Sequence, residues 1–191
     1  MNSISYDARM RFQLAIALAV MSGVACFSLT QAAEAPATFE VGEFKFTRPA
    51  VWEWIESSSP MRKAQLKVND AAKKESAEVV FFHFGEGGGG GTQANIDRWL
   101  GQFQEAREKL NPKIETATAA GRKVTYVQAE GTYMSGMPGG AKTPQPGTVL
   151  LGAIIESDKG NVFIRMTGPA KLALSAKADF RKMVESASPA R

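Results

Sequence analysis

Apolar and polar residues alternate along much of this chain. Ala64, Leu66 and Val68 are separated by Gln65 and Lys67 and preceded by Lys63. That period of two is what a strand with one wet face requires. Phe44-Lys45-Phe46 alternates in the same way and stops before Pro49. Trp52-Glu53-Trp54-Ile55 reads as an extended segment with both tryptophans on one face, and Ser57 to Pro60 as a turn. Asn69 to Ala77 is polar and is expected to be loop. Val79 to Phe84 is apolar at nearly every position, which predicts a central strand covered on both sides. Two hairpins follow downstream. Lys113 to Thr118 pairs with Arg122 to Tyr133 around Ala119-Ala120-Gly121, and Thr148 to Glu156 pairs with Val162 to Thr167 across Ser157 to Asn161.

The period becomes helical in two places. Ile96, Trp99, Leu100, Phe103 and Leu110, with Arg107 among them, recur at i, i+3, i+4 and i+7 spacing. This predicts one helix with an apolar stripe, capped by Thr92 or Asn95 and stopped by Asn111-Pro112. After Gly168-Pro169, the positions of Leu174, Phe180, Met183 and Val184 predict a final helix. Two stretches carry neither period. Gly85 to Gly91 ends in five consecutive glycines and is expected to be a mobile connection. Met134 to Gly147 is rich in Gly and Pro and is expected to be a long loop. Long loops without structure of their own are often functional, and methionines adapt to varied apolar surfaces. The candidate binding surface is therefore Trp52, Trp54, Tyr133, Met134 and Met137.

The N-terminus has the three-part form of a secretory signal. Arg9 and Arg11 lie in a polar start, an apolar run opens at Leu14, and Gln31-Ala32-Ala33-Glu34 supplies small-residue cleavage options. The uninterrupted apolar stretch is about 15 residues, short of the ~20 that span a bilayer. The expected organisation is a signal peptide over 1–33, a short tether over 34–38, one α+β domain over 39–187 and a tail over 188–191. This places the protein in the periplasm or outside the cell, with no transmembrane segment after cleavage. Cys26 is the only cysteine. Lipid anchoring through it is the alternative, but Gly23 fits poorly three residues before a lipidated cysteine. A mature chain without cysteine has neither disulfides nor thiol chemistry, and it rests on its core alone.

The element order is strands, a helix, two hairpins and a last helix. It resembles the PsbP-like α/β/α sandwich, and within it exported bacterial proteins of unassigned role. The segments that carry the resemblance are Phe44 to Trp54, Val79 to Phe84, Asn95 to Phe103, Thr148 to Glu156 and Val162 to Pro169 with its closing helix. The resemblance implies an α+β fold, an antiparallel sheet flanked by helices. It also implies a mostly non-enzymatic family that includes an accessory photosystem subunit, a nuclear-import factor and envelope lipoproteins. No functional residue of that family carries over, and fold alone does not fix function.

Familiar chemistry finds little support. His83 is the only histidine, so a His-rich zinc site is excluded, and its place between Phe82 and Phe84 suits a half-buried strand residue. The glycine run lacks the Lys-Ser/Thr that completes a phosphate loop, since Gly91 is followed by Thr92-Gln93. Glu53 with Glu56, and Glu105 with Glu108, are carboxylate pairs without a third supporting group. Net charge is +4, and the basic residues occur as scattered pairs, not as the stripe that nucleic acid needs. The expectation is a non-catalytic envelope module that binds an envelope protein or small ligand, without cofactor, metal or nucleic acid. The alternative is an envelope enzyme using carboxylate or backbone groups. Mass spectrometry of protein recovered from the envelope should show a new N-terminus near Ala33 or Glu34 and no lipid. Diacylglycerol on Cys26 would overturn that location.

Overall fold

The computed structural model describes residues 35–136 and 140–190. The signal-peptide and Cys26 assignments, and Met137, lie outside the described residues. Five strands come first: β1 (Thr38–Val41), β2 (Phe44–Thr47), β3 (Glu53–Trp54), β4 (Arg62–Asn69) and β5 (Ser76–His83). Two helices, α1 (Thr92–Leu100) and α2 (Arg107–Leu110), lead to β6 (Lys113–Ala119), β7 (Arg122–Ser135), β8 (Thr143–Ile155) and β9 (Val162–Pro169). Helices α3 (Ala170–Ser175) and α4 (Lys177–Glu185) and a short β10 (Ser188–Pro189) close the chain.

Seven strands form one antiparallel sheet in the order β3-β4-β5-β9-β8-β7-β6. The chain leaves β5, crosses the front of the sheet through α1 and α2, and returns as the meander β6 to β9. Register follows the sequence pattern. In β4 the buried residues are Ala64, Leu66 and Val68, while β5 buries Val79 and Phe81 on the back and Val80 on the front. The wet-face assignment thus holds, whereas β5 is covered on its front only at Val80 and Phe82, and Phe84, 45% exposed, lies past the end of the strand. A second sheet, β1-β2-β10, lies with α3 and α4 over the back core. There Phe39 meets Phe81 edge-on at 5.0 Å between ring centres, and Phe46 meets it at 5.2 Å.

Several expectations change. The tether and tail contribute strands: β1 begins at Thr38, β10 pairs with β2, and the Ala190 amide donates to the Glu43 carbonyl. The front helix is two short helices, although its stripe of Ile96, Trp99, Leu100, Phe103 and Leu110 is buried as one cluster. The break arises because residues 102–104 find a better partner than helical continuation. The Gln104 amide donates to Thr132 O, the Met134 amide donates to Gln102 O, and Phe103 bridges Tyr133. The last helix breaks likewise at Ala176, and Leu174, assigned to its apolar face, is 40% exposed.

Of the eleven described residues in the long loop, seven lie in strands. Ser135 pairs with Thr143, Met134 with Pro144 and Tyr133 with Gln145. The β7–β8 hairpin therefore runs past Pro169, where β9 ends opposite Thr148, as a two-stranded arm. The glycine run is tied down: the buried Asn95 amide donates to the carbonyls of Gly89 (2.8 Å) and Gly91 (3.0 Å). Neither Thr92 nor Asn95 caps α1 through its side chain; Gly91 occupies the cap, and the Thr92 hydroxyl donates to Glu156.

The front layer is seated by close approach. A Cβ on Gly152 of β8 would lie 2.3 Å from the Trp99 ring, so the indole rests on bare backbone. Trp99→Ala should cost about 3–5 kcal/mol in chemical denaturation. Gly152→Ala should cost about 1–3 kcal/mol, because a rigid ring must move. A neutral Gly152→Ala would show that Trp99 does not dock on β8.

Candidate functional site

Of the expected binding surface, the described Trp52 and Trp54 do not come together with Tyr133. Trp52 is 2% exposed in the back core, with Trp54 partly buried beside it and donating its indole N–H to Glu56 at 2.7 Å. Tyr133 is buried in the front cluster, edge-on to Phe103, across the sheet from both tryptophans. The thickness of the sheet divides the proposed floor. Met134 is half-buried in the arm, and Met137 lies outside the described residues. The other singled-out groups have structural employment. His83 is half-buried in β5 with its Nε2 3.2 Å from the Lys159 carbonyl. Glu53 accepts from Asn69. Both Glu105 oxygens accept from the Thr132 amide at 3.0 and 2.9 Å, a contact that holds this carboxyl below its ordinary pKa. No group of His, Cys, Asp and Glu among the described residues could hold a metal ion.

The front layer covers the strip of sheet under α1 and α2 and stops there. Beyond it the front positions become polar: Gln65 on β4, Glu78 on β5, Arg165 and Thr167 on β9. This uncovered strip and the projecting arm enclose a cleft of about 790 Å³. Arg62, Glu78, Arg165 and Thr167 line it from the sheet, and Tyr133, Ser135 and Gln145 line it from the arm. The volume falls within the ~300–1,000 Å³ range of small-molecule sites.

The charges in this cleft are unequally satisfied. Arg62 donates to Glu78 at 2.6 Å and to Gln65 at 3.0 Å, and Gln65 donates to Glu78 at 2.9 Å, which makes a closed triad. Arg165 stands apart. Its Nη1 donates to Gln102 Oε1 at 2.7 Å, and the same oxygen accepts from the Tyr133 hydroxyl at 2.8 Å. Its Nε is sealed from solvent and has no partner among the described residues, and no carboxylate lies within ion-pair distance. Sequence reading passed over Arg165, although its signal was visible: a charged residue at a front position between Phe163 and Thr167 in an otherwise apolar strand.

A second, much smaller cavity lies on the back, between β6, β7 and α4, with a volume of about 30 Å³. Tyr126 and Arg181 line it, and the guanidinium lies 4.6 Å from the centre of the phenol ring. The Tyr126 hydroxyl is buried without a protein partner. Burial, with the Glu185 charge, pushes its pKa up to about 12 against a smaller opposing pull from Arg181.

No family model matches the sequence, and no curated protein matches it. Solved structures do. A solution structure of cyanobacterial PsbP (CyanoP) from Synechocystis sp. PCC 6803 covers 83% of this chain and 96% of its own, at 9% identity and TM-score 0.48. LpqN, involved in cell envelope biogenesis of Mycobacterium tuberculosis, covers 78% of this chain and 83% of its own, at 12% identity and TM-score 0.43. A crystal structure from Bacteroides thetaiotaomicron VPI-5482 covers 81% of this chain and 48% of its own, at 13% identity and TM-score 0.44.

The likeness concerns architecture alone, and no residue or role passes with it. The α+β assignment rests on the strand order itself. No helix among the described residues is long and apolar enough to cross a membrane.

The unpartnered Tyr126 hydroxyl makes a pH prediction. A phenol whose folded pKa is raised adds stability below its unfolded value of about 10, and this is lost as pH rises from about 10 to 12. Tyr126→Phe should remove that alkaline slope and unfold at the same temperature as the parent or higher at neutral pH. A drop of several degrees would mean that the hydroxyl has a hydrogen-bond partner.

Proposed function

We propose that this protein is an exported, non-catalytic domain that binds a small polar ligand in the cleft between the uncovered β4–β5–β9 strip and the β7–β8 arm. The observation that carries this reading is the state of the cleft's side chains. The Glu78 carboxylate is held by Arg62 and Gln65 as part of the cleft wall. Arg165 lines the same cleft with no carboxylate within ion-pair distance among the described residues. The hydroxyl and amide groups around them suit a ligand with polar substituents. The envelope location rests on the leader sequence.

Backbone amide spectra of the exported protein, recorded against a panel of sugars, amino acids and small organic acids, test the reading. Shifts at Thr148, Thr167 and Gly168 that disappear in Thr167→Trp are expected, since the indole fills the cleft. Failure of every panel member to perturb these amides would overturn the proposal. Turnover of a panel member, lost in Glu78→Gln, would replace it with the enzyme reading.

A further inference from the structure

We infer that β6 is the contact edge of a symmetric dimer, in which the β6 strands of two copies of this chain pair antiparallel about Thr116. The inference is independent of the cleft, which lies toward the other end of the sheet. A strand at a sheet edge leaves a row of backbone N–H and C=O groups free to pair with another chain. The edges of this protein are unequally guarded. β3, at one end of the seven-stranded sheet, is two residues long. The arm carries Pro144 and Pro146, and proline blunts an edge. β6, at the other end, has seven residues and no proline. Its ladder to β7 runs without a bulge from Lys113 opposite Gln128 to Ala119 opposite Arg122. Among the described residues, none pairs with its outer side. Ile114, Thr116 and Thr118 are exposed on the front, the face on which Val127 joins the front cluster. Isoleucine and threonine favour extended backbone.

The sequence of β6 is complementary to itself in one register. Directly opposed residues of an antiparallel pair share a face of the sheet. With the two-fold axis at Thr116, every residue of the strand has an opposite. On the front, Thr116 meets Thr116 of the second copy and Ile114 meets Thr118. On the back, Glu115 meets Ala117 and Lys113 meets Ala119, so no like charges are opposed. Threonine pairs and β-branched neighbours of this kind stabilise a ladder. An axis at Glu115 would set two carboxylates opposite each other, and axes at Ile114 or Ala117 would pair fewer residues. Glu115 enters with its charge already met, because Arg181 donates to it at 3.0 Å. A foreign strand has to supply this match, whereas a second copy of the chain brings it.

Sedimentation equilibrium of the exported protein tests the inference. It should show a monomer–dimer equilibrium with a dissociation constant between about 10 μM and about 1 mM, since one strand pair makes a small interface. Thr116→Lys and Thr116→Glu each set like charges across the axis, and each alone should weaken the dimer at least about tenfold. An equimolar mixture of the two variants should recover the dimer, because opposite charges then meet. The Thr116 side chain is exposed, so both variants should keep the thermal transition of the parent. Under oxidation Thr116→Cys should crosslink to its own copy, since opposed strand residues lie within disulfide reach. Thr118→Cys, displaced from the axis, should not. A parent that stays monomeric at about 1 mM would overturn the inference. So would a dimer that both charged variants leave intact, a mixture that associates no better than either variant alone, or equal crosslinking of the two cysteine variants.

Discussion

The seat of Trp99 on Gly152 sets the geometry of the front of this molecule. An indole pressed against bare strand backbone excludes water from both and fixes where the crossing segment lies. The segment passes Phe163 at Gly89, β8 at Trp99 and β7 at Leu110, where a Cβ on Gly131 would collide with Leu110 and Glu105. Each contact needs a backbone that comes close, and two of the three rest on a glycine in the sheet. Once the segment is pinned over β7, β8 and β9, it cannot also cover β4 and β5. The cleft is the area left over.

The arm is the second consequence. With residues 102–104 paired against 132–134, β7 is held along the edge that β6 leaves free beyond Gln128. Glu105 accepts the Thr132 amide at the irregularity between Gly131 and Tyr133. This carboxylate stabilises the junction while ionised, and the contribution is lost as pH falls through its lowered pKa. The β7–β8 hairpin is thereby directed past the end of β9, and it forms one wall of the cleft without a partner strand on that side.

Much of the sheet was legible because alternation is a short-range signal. Ala64-Gln65-Leu66-Lys67-Val68 and both downstream hairpins need only their own residues and turns to be read. Helical spacing was more ambiguous. Ile96, Trp99, Leu100, Phe103 and Leu110 bury as one cluster whether one helix or two carries them, and the pairing of Phe103 with Tyr133 30 positions later decides between these. The arm was missed because Pro144, Pro146 and the glycines suggested a loop, whereas a two-stranded edge ribbon tolerates both. The β1–β2 hairpin did leave a signal, with Phe39 and Val41 alternating before the turn at Gly42. The expected surface failed for a different reason: apolar and aromatic residues mark a core as readily as a site. Trp52 and Tyr133 belong to two cores on opposite faces.

Among the described residues, two buried side-chain polar atoms lack a protein partner, Tyr126 Oη on the back and Arg165 Nε on the front. The deficit is formally the same, but the space beside each differs. Near Tyr126 about 30 Å³ is open to the centre of a water, but the neutral hydroxyl itself is closed to it. Burial without a charge is tolerable there, and the cost appears only as a phenol that resists ionisation. Arg165 differs: its Nε is closed to solvent, while the rest of the half-buried side chain lines the cleft of about 790 Å³. The charge keeps access to water there, so the cost of burial falls on the Nε–H alone. A buried atom without a partner therefore marks a cost of packing on either face, and the exposure of the rest of the group, not the deficit, decides whether another molecule can reach it.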